Sequence, residues 1–226
     1  VVDTGGLNEG VVTVSYDSGN PNAKKVIIKK GEVKYVYDLK ESSSLPLQSG
    51  NGEYEVSILE NISGNRYTVV HKENITLNID NSRIVYQQSV QPVNWNGGMK
   101  AARKARELTA DLENDREKAE AVYKYVVKTL SYDYEKIGIL GPDYVPSVEA
   151  VFGRSKGICY DYAVLTAAML RSIGIPAKLV MGYRDDVEAY HAWNQVYLKE
   201  SGKWITIDTT YDSILKDSKK AVKIEK

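Results

Sequence analysis

One cysteine and two histidines are all that this chain of 226 residues holds of those two types. A single cysteine excludes an internal disulfide framework and a cysteine-rich zinc site. Two histidines restrict any imidazole base to His71 or His191. Neither sign of charge is in excess: thirty Lys and Arg stand against thirty Asp and Glu. No global positive field therefore draws nucleic acid or anionic lipid, and no nucleic-acid partner is expected. No apolar run approaches the length of a membrane span, and Val1 to Gly6 lacks the basic start and apolar core of a secretory leader.

What is present changes character near residue 92. From Val11 to Val90, short β-prone runs alternate with turn chemistry: Val11–Tyr16, Lys25–Lys29, Val33–Tyr37, Tyr54–Leu59, Tyr67–Val70, Ile75–Ile79 and Ile84–Gln88. Strands of this length without intervening helices predict a small antiparallel sandwich. Gly52-Glu53-Tyr54-Glu55-Val56 resembles the tyrosine corner of immunoglobulin-like domains, with Val56 where an antibody domain carries cysteine. The expectation for residues 1–92 is an Ig-like β-sandwich. His71, beside Lys72 and Glu73, reads as a solvated strand residue, because no second group converges on it.

Past Gln91-Pro92 and Asn96-Gly97-Gly98 the period becomes helical, which makes residues 93–226 a second, α+β domain. Met99–Leu112 reads as a charged helix. A second helix begins near Asp115 and repeats apolar residues at Ala119, Val122, Tyr123, Val126, Val127 and Leu130, one face toward a core. Ser147 is placed to cap a short helix through Phe152. Gly153 to Gly157 then lead to Cys159, which opens an apolar helix closed by Gly174 before Ile175-Pro176.

A cysteine at a helix N-terminus meets the positive end of the macrodipole and unpaired N–H groups, which favour negative charge. Two readings of Cys159 stand at this point: a nucleophile, or a small buried hydrophobe. His191 is the only histidine in the same domain, on a β-prone run from Tyr190 to Leu198. A turn at Lys199–Gly202 returns the chain through Lys203–Asp208. With an even-numbered turn, His191 and Asp208 share one face; an odd one separates them. A thiol nucleophile needs an imidazole within hydrogen-bond reach, and the imidazole needs a carboxylate to hold it. Asp208 taken alone reads equally as a strand-end turn residue.

Val148 to Ala163, which contains Gly157-Ile158-Cys159-Tyr160-Asp161, resembles the cysteine block of the transglutaminase-like superfamily. Gly174-Ile175-Pro176-Ala177, His191-Ala192-Trp193 and Asp208 resemble the blocks that follow it, in the same order. The resemblance implies a papain-like α+β core with a Cys159, His191, Asp208 triad. It implies an enzyme that forms a thioester between Cys159 and an amide-derived acyl group of a protein or peptide, then passes the acyl group to an amine or to water. Hydrolysis of protein or cell-wall peptide by a cysteine peptidase or amidase, or a non-catalytic binding role, are the rival readings. Relatives often add an upstream side chain to the oxyanion site, for which Tyr132, Tyr134 and Trp95 are candidates beside the Cys159 backbone N–H.

Tyr160 and Trp193 are expected to shape the cleft. Arg184-Asp185-Asp186-Val187-Glu188 reads as a solvated turn, since a calcium cage needs more ligands than it holds. No metal and no cofactor are expected. A β module beside an enzyme core suggests an extracellular or cell-surface bacterial protein.

Overall fold

The computed structural model describes residues 1–141, 143–185 and 187–215, with backbone alone at 187 and 188. It divides into two compact units, Val1–Gln91 and a second that begins at Pro92. The Gly141-Pro142 turn and the acidic stretch through Glu188 thus lie partly outside the described residues.

The first unit runs through β1 (Val2–Asp3), β2 (Val11–Ser15), β3 (Lys24–Lys30), β4 (Val33–Leu39), β5 (Ser42–Pro46), β6 (Gly52–Ser63) and β7 (Arg66–Leu77). These form two antiparallel sheets, ordered β1-β2-β5 and β4-β3-β6-β7. Period-two alternation decides which side chains meet. In β3, Val26 and Ile28 are buried while Lys25, Ile27 and Lys29 are not. Val12, Val14 and Leu45 from one sheet join Val26, Ile28, Tyr54, Val56 and Ile58 from the other in one apolar core. Tyr54 crosses that core with its polar end satisfied: its hydroxyl donates to the Gly50 carbonyl at 2.6 Å and accepts from the Ser49 N–H at 2.9 Å. Burial pushes the Tyr54 phenol up to about 12, so it remains a donor.

Three strand expectations need correction. Tyr67–Val70 and Ile75–Ile79 belong to one strand that ends at Leu77, because β6 is equally long and bulges near Ile58 and Asn61 absorb the register shifts. Ile84–Gln88 is no strand: Ser82–Gln87 is a 3-10 turn, begun by the Asn81 side chain accepting from the Arg83 N–H. Conversely, the serine-rich Ser42–Pro46 pairs with β2 despite its weak β-propensity.

The second unit contains α1 (Lys100–Thr109), α2 (Asp115–Thr129), β8 (Ser131–Tyr132), α3 (Tyr134–Ile137), α4 (Val148–Arg154), β9 (Lys156–Gly157), α5 (Cys159–Arg171), β10 (Ala177–Arg184), β11 (Val187–Leu198) and β12 (Lys203–Ile207); residues 209–215 are helical. The last three strands form an antiparallel sheet, β10-β11-β12. Helix α5 packs against α1, α2, α4, β10 and β11. From Asp161 to Arg171 every residue of α5 is buried, so it is enclosed on all sides instead of presenting one apolar stripe. Asn114 and Ser147 cap α2 and α4 through the Glu117 and Ala150 N–H groups. Gly174, at φ 81°, adopts the left-handed conformation that turns the chain out of α5 toward β10.

Candidate active site

Two short strands prepare the start of α5. Ser131 and Tyr132, directly after α2, pair in parallel with Lys156 and Gly157. Gly157 is required by proximity, not by its φ angle: a Cβ on it would lie 2.6 Å from Asp161 Cβ and 2.8 Å from Asp161 Oδ2. Asp161 is 0% exposed. Its Oδ2 accepts from the Ile158 N–H at 2.8 Å and from Lys136 Nζ at 2.6 Å, and its Oδ1 accepts from the Tyr144 hydroxyl. Lys136 Nζ also donates to the Tyr144 oxygen at 2.6 Å and lies over the Tyr144 ring. One buried carboxylate thereby fastens the first turn of α5, Lys136 and Tyr144 together, with Cys159 held two residues away.

The hairpin that carries His191 has a four-residue turn: Leu198 pairs with Lys203, and the register continues to Asn194 and Ile207. One further step brings Asp208 level with Trp193, on the face that His191 shares. His191 Nε2 lies 2.7 Å from Asp208 Oδ2. Cys159 stands close enough to act on His191, and with Nε2 facing Asp208, Nδ1 is the nitrogen that remains for the sulfur. The Asp208 hydrogen bond, then that of Cys159, raises the His191 pKa to about 9 against the opposing effect of burial. The imidazolium is therefore the resting form at neutral pH. Asp208 is itself held: its Oδ1 accepts the N–H groups of Thr210 and Tyr211, which open the helical residues 209–215.

Buried hydrogen bonds tie each of these elements to α5. Asn194, three residues from His191, donates from Nδ2 to the Ala163 carbonyl at 2.9 Å and to the Lys178 carbonyl at 3.1 Å. Thr209, next to Asp208, meets Thr166 at 3.2 Å between hydroxyls. Tyr162 meets Ser213 at 3.1 Å, and Ser213 donates to the Leu130 carbonyl. Arg171 Nε donates to the Ala177 carbonyl where β10 begins. Each such bond contributes about 1 kcal/mol net and costs more when one partner is lost. Their larger effect here is to give the strands one permitted position along the helix.

Of the three oxyanion candidates, Tyr132 lies beside Cys159: its hydroxyl is close to the Cys159 backbone N–H. Burial, reinforced by the Cys159 charge, pushes the Tyr132 phenol up to about 12. Tyr134 is 67% exposed and stands edge-on to Tyr132, with ring centroids 4.8 Å apart. Trp95 packs against the core cluster of the unit. Trp193 stacks on His191, centroids 6.1 Å apart and 20° between planes. Tyr160 stands edge-on to Tyr144. His71 is in the first unit beside Glu73 at 3.4 Å.

Arg184, expected in a solvated turn, is instead part of the sheet. It ends β10, and its Nη1 lies 3.1 Å from Asp208 Oδ2. Asp186, from the same stretch, lies outside the described residues. Lys136 and Tyr144 carry no signal in the sequence beyond their nearness to the glycine and proline turns before Cys159. Among the described residues, no cluster of His, Cys, Asp and Glu has the makings of a metal site, and no helix is long and apolar enough to cross a membrane.

Residues 102–209 match the model of the transglutaminase-like superfamily. The uncharacterized protein ML0607 of Mycobacterium leprae (strain TN) is 36% identical over 87 residues, which cover 31% of this chain and 30% of that protein. The uncharacterized protein YebA of Bacillus subtilis (strain 168) is 29% identical over 123 residues, covering 47% of this chain and 17% of that one. The chain thus matches less than a third of the length of either relative. A crystal structure from Cytophaga hutchinsonii, described as that of a candidate cysteine protease, is similar at a TM-score of 0.51 and 16% identity, covering 88% of this chain and 71% of that one. At that identity the likeness is one of fold.

Proposed function

We infer that the second unit, of which residues 102–209 match the model of the transglutaminase-like superfamily, is a thiol-dependent acyltransferase acting on amide groups of a protein or peptide. The observation that carries this reading is the chain of contacts from Cys159 to His191 and from His191 Nε2 to Asp208 Oδ2 at 2.7 Å. Cys159 Sγ attacks the amide carbonyl carbon, whose oxygen takes the displaced electron pair. The Cys159 N–H and the Tyr132 hydroxyl are the donors beside the sulfur that would receive this oxyanion. His191 then gives its Nδ1 proton to the amide nitrogen, the C–N bond breaks, and the amine leaves a thioester. An incoming amine attacks that thioester while His191 accepts its proton, and the thiolate departs to restore the imidazolium pair. Asp208 holds the imidazole ring throughout and balances its charge.

The first unit is read as an Ig-like module. Its support is the sheet order β1-β2-β5 and β4-β3-β6-β7 together with the Tyr54 to Gly50 hydrogen bond at the start of β6. An extracellular or cell-surface setting, with protein or cell-wall peptide as the acyl donor, accords with that module beside an enzyme core.

The test offers a glutamine-bearing protein and a labelled primary amine to wild type and to Cys159→Ala. Incorporation of the label by wild type alone is the expected result. Ammonia release or chain cleavage without incorporation assigns the second step to water, and no change in either assay contradicts acyl chemistry on these substrates.

A further inference from the structure

The Asp208 carboxylate serves two cations through one oxygen. Oδ2 accepts from His191 Nε2 at 2.7 Å and from Arg184 Nη1 at 3.1 Å. Arg184 also lies over the Trp193 ring, 5.6 Å from its centroid, and Trp193 stacks on His191. Arg184, Asp208, His191 and Trp193 therefore close a ring of contacts in which each member touches two others. Arg184 comes from β10, Trp193 and His191 from β11, and Asp208 from the end of β12, so the ring fastens all three strands at the catalytic end of the sheet.

The arrangement has an electrostatic consequence. A carboxylate that faced His191 alone would spend its whole charge on the imidazolium and make it a reluctant proton donor. The leaving amine needs that proton, and the incoming nucleophile needs the free base. A guanidinium on the same oxygen draws part of that charge away and, as a like charge, opposes the imidazolium directly. Arginine suits the position because it stays charged and its flat fork lies over an indole face while donating at its edge. At 25% side-chain exposure, Arg184 is sheltered enough for its charge to be felt.

We propose that Arg184 is a positioning residue which shares Asp208 with His191, orienting the carboxylate and restraining its hold on the imidazolium proton. This rests on the reading of Cys159, His191 and Asp208 as the reacting set. Besides Asp208, Cys159 from α5 acts on His191, and Tyr132 from β8 stands next to Cys159. Beyond Asp208 stand Asp212 and its hydrogen-bond partner Tyr123 from α2. None of these supplies a second cation to the carboxylate.

The test uses the intact chain carrying His71→Gln, which leaves His191 as the only imidazole, and follows its ring nitrogens by NMR across pH. In Arg184→Gln and Arg184→Met the His191 midpoint should rise by about half a unit to one unit. Methionine keeps an unbranched stem against Trp193 without charge, so the two variants cover each other against a folding defect. Arg184→Lys, which retains the charge, should titrate closer to the unsubstituted protein than to either neutral variant. A midpoint that stays put or falls in folded neutral variants overturns the proposal. In the same samples, iodoacetamide modification of Cys159 and its slowing by His191→Ala report separately on the nucleophile. If modification is ordinary and indifferent to His191, the underlying reading fails; if it is fast and His191-dependent while the midpoint does not move, only the role of Arg184 fails.

Discussion

The two units treat buried polar groups differently. In the first, the core shared by the two sheets is apolar, the buried polar residues Ser57 and Glu60 both belong to β6, and Tyr54 brings its hydroxyl to a turn at the margin. In the second, Asp161, Thr166, Arg171, His191, Asn194, Thr209 and Ser213 are all buried around one helix. Burying polar groups without partners costs free energy, and burying them with partners contributes only modestly to stability. The second unit gains something else: an apolar contact tolerates sliding by an ångström, whereas the Asn194 to Ala163 and Thr209 to Thr166 bonds do not. The polar interior lies where a sulfur, an imidazole and a carboxylate from separate elements must stay in register.

Substitutions sharpen the contrast, and all three tryptophans lie in the second unit, so their fluorescence reports on it alone. The largest effect is expected from Asp161→Ala, which leaves Lys136, Tyr144 and the Ile158 N–H without their shared acceptor. It should cost about 3 kcal/mol in denaturant unfolding of the second unit. A cost below about 1 kcal/mol would mean that this carboxylate does not anchor the start of α5. Asn194→Ala removes the two side-chain hydrogen bonds to the Ala163 and Lys178 carbonyls and should cost about 2 kcal/mol. It should also slow Cys159 modification, an effect that a loss of stability alone would not produce in fully folded protein.

The third effect is confined to a pH window. His191 has its pKa raised in the folded chain to about 9 from an ordinary 6.5. Its contribution to stability is complete below pH 6.5 and is lost as the pH rises through about 9. The fluorescence-detected midpoint should therefore fall across that window, and His191→Gln should flatten the fall. The smallest effect belongs to the first unit: Tyr54→Phe removes one hydroxyl and should cost about 1 kcal/mol. That loss should be seen by hydrogen exchange in β6 and leave Cys159 modification unchanged. A change in the thiol on Tyr54→Phe would break the division between the two units.

How much of this was legible beforehand follows the same division. Period-two alternation made most strands of the first unit readable, and it failed where length or serine content hid them, as in β7 and Ser42–Pro46. The helix of Cys159, its Gly174 terminus and the hairpin of His191 could be read because capping and turn residues act locally. The parity of the 199–202 turn could be framed only as a condition, which the four-residue turn now meets. Arg184, Lys136 and Tyr144 were hidden because each matters through a partner distant in sequence: Arg184 reaches Asp208, and the other two reach Asp161. A charged residue near a turn looks the same whether it faces water or a buried carboxylate. Gly157 showed itself as a loop glycine, but its reason, the Asp161 side chain packed against it, required three dimensions.

The central claim is that Cys159 is a nucleophile held in a pair with His191. Its most direct test is the rate of iodoacetamide modification of the lone cysteine from pH 5 to 9, compared between the unsubstituted chain and His191→Ala. The account predicts rapid modification already at mildly acidic pH, slowed at least about tenfold by His191→Ala. A thiol that reacts appreciably only near the ordinary value of about 8.5, with the same profile in both proteins, would contradict it.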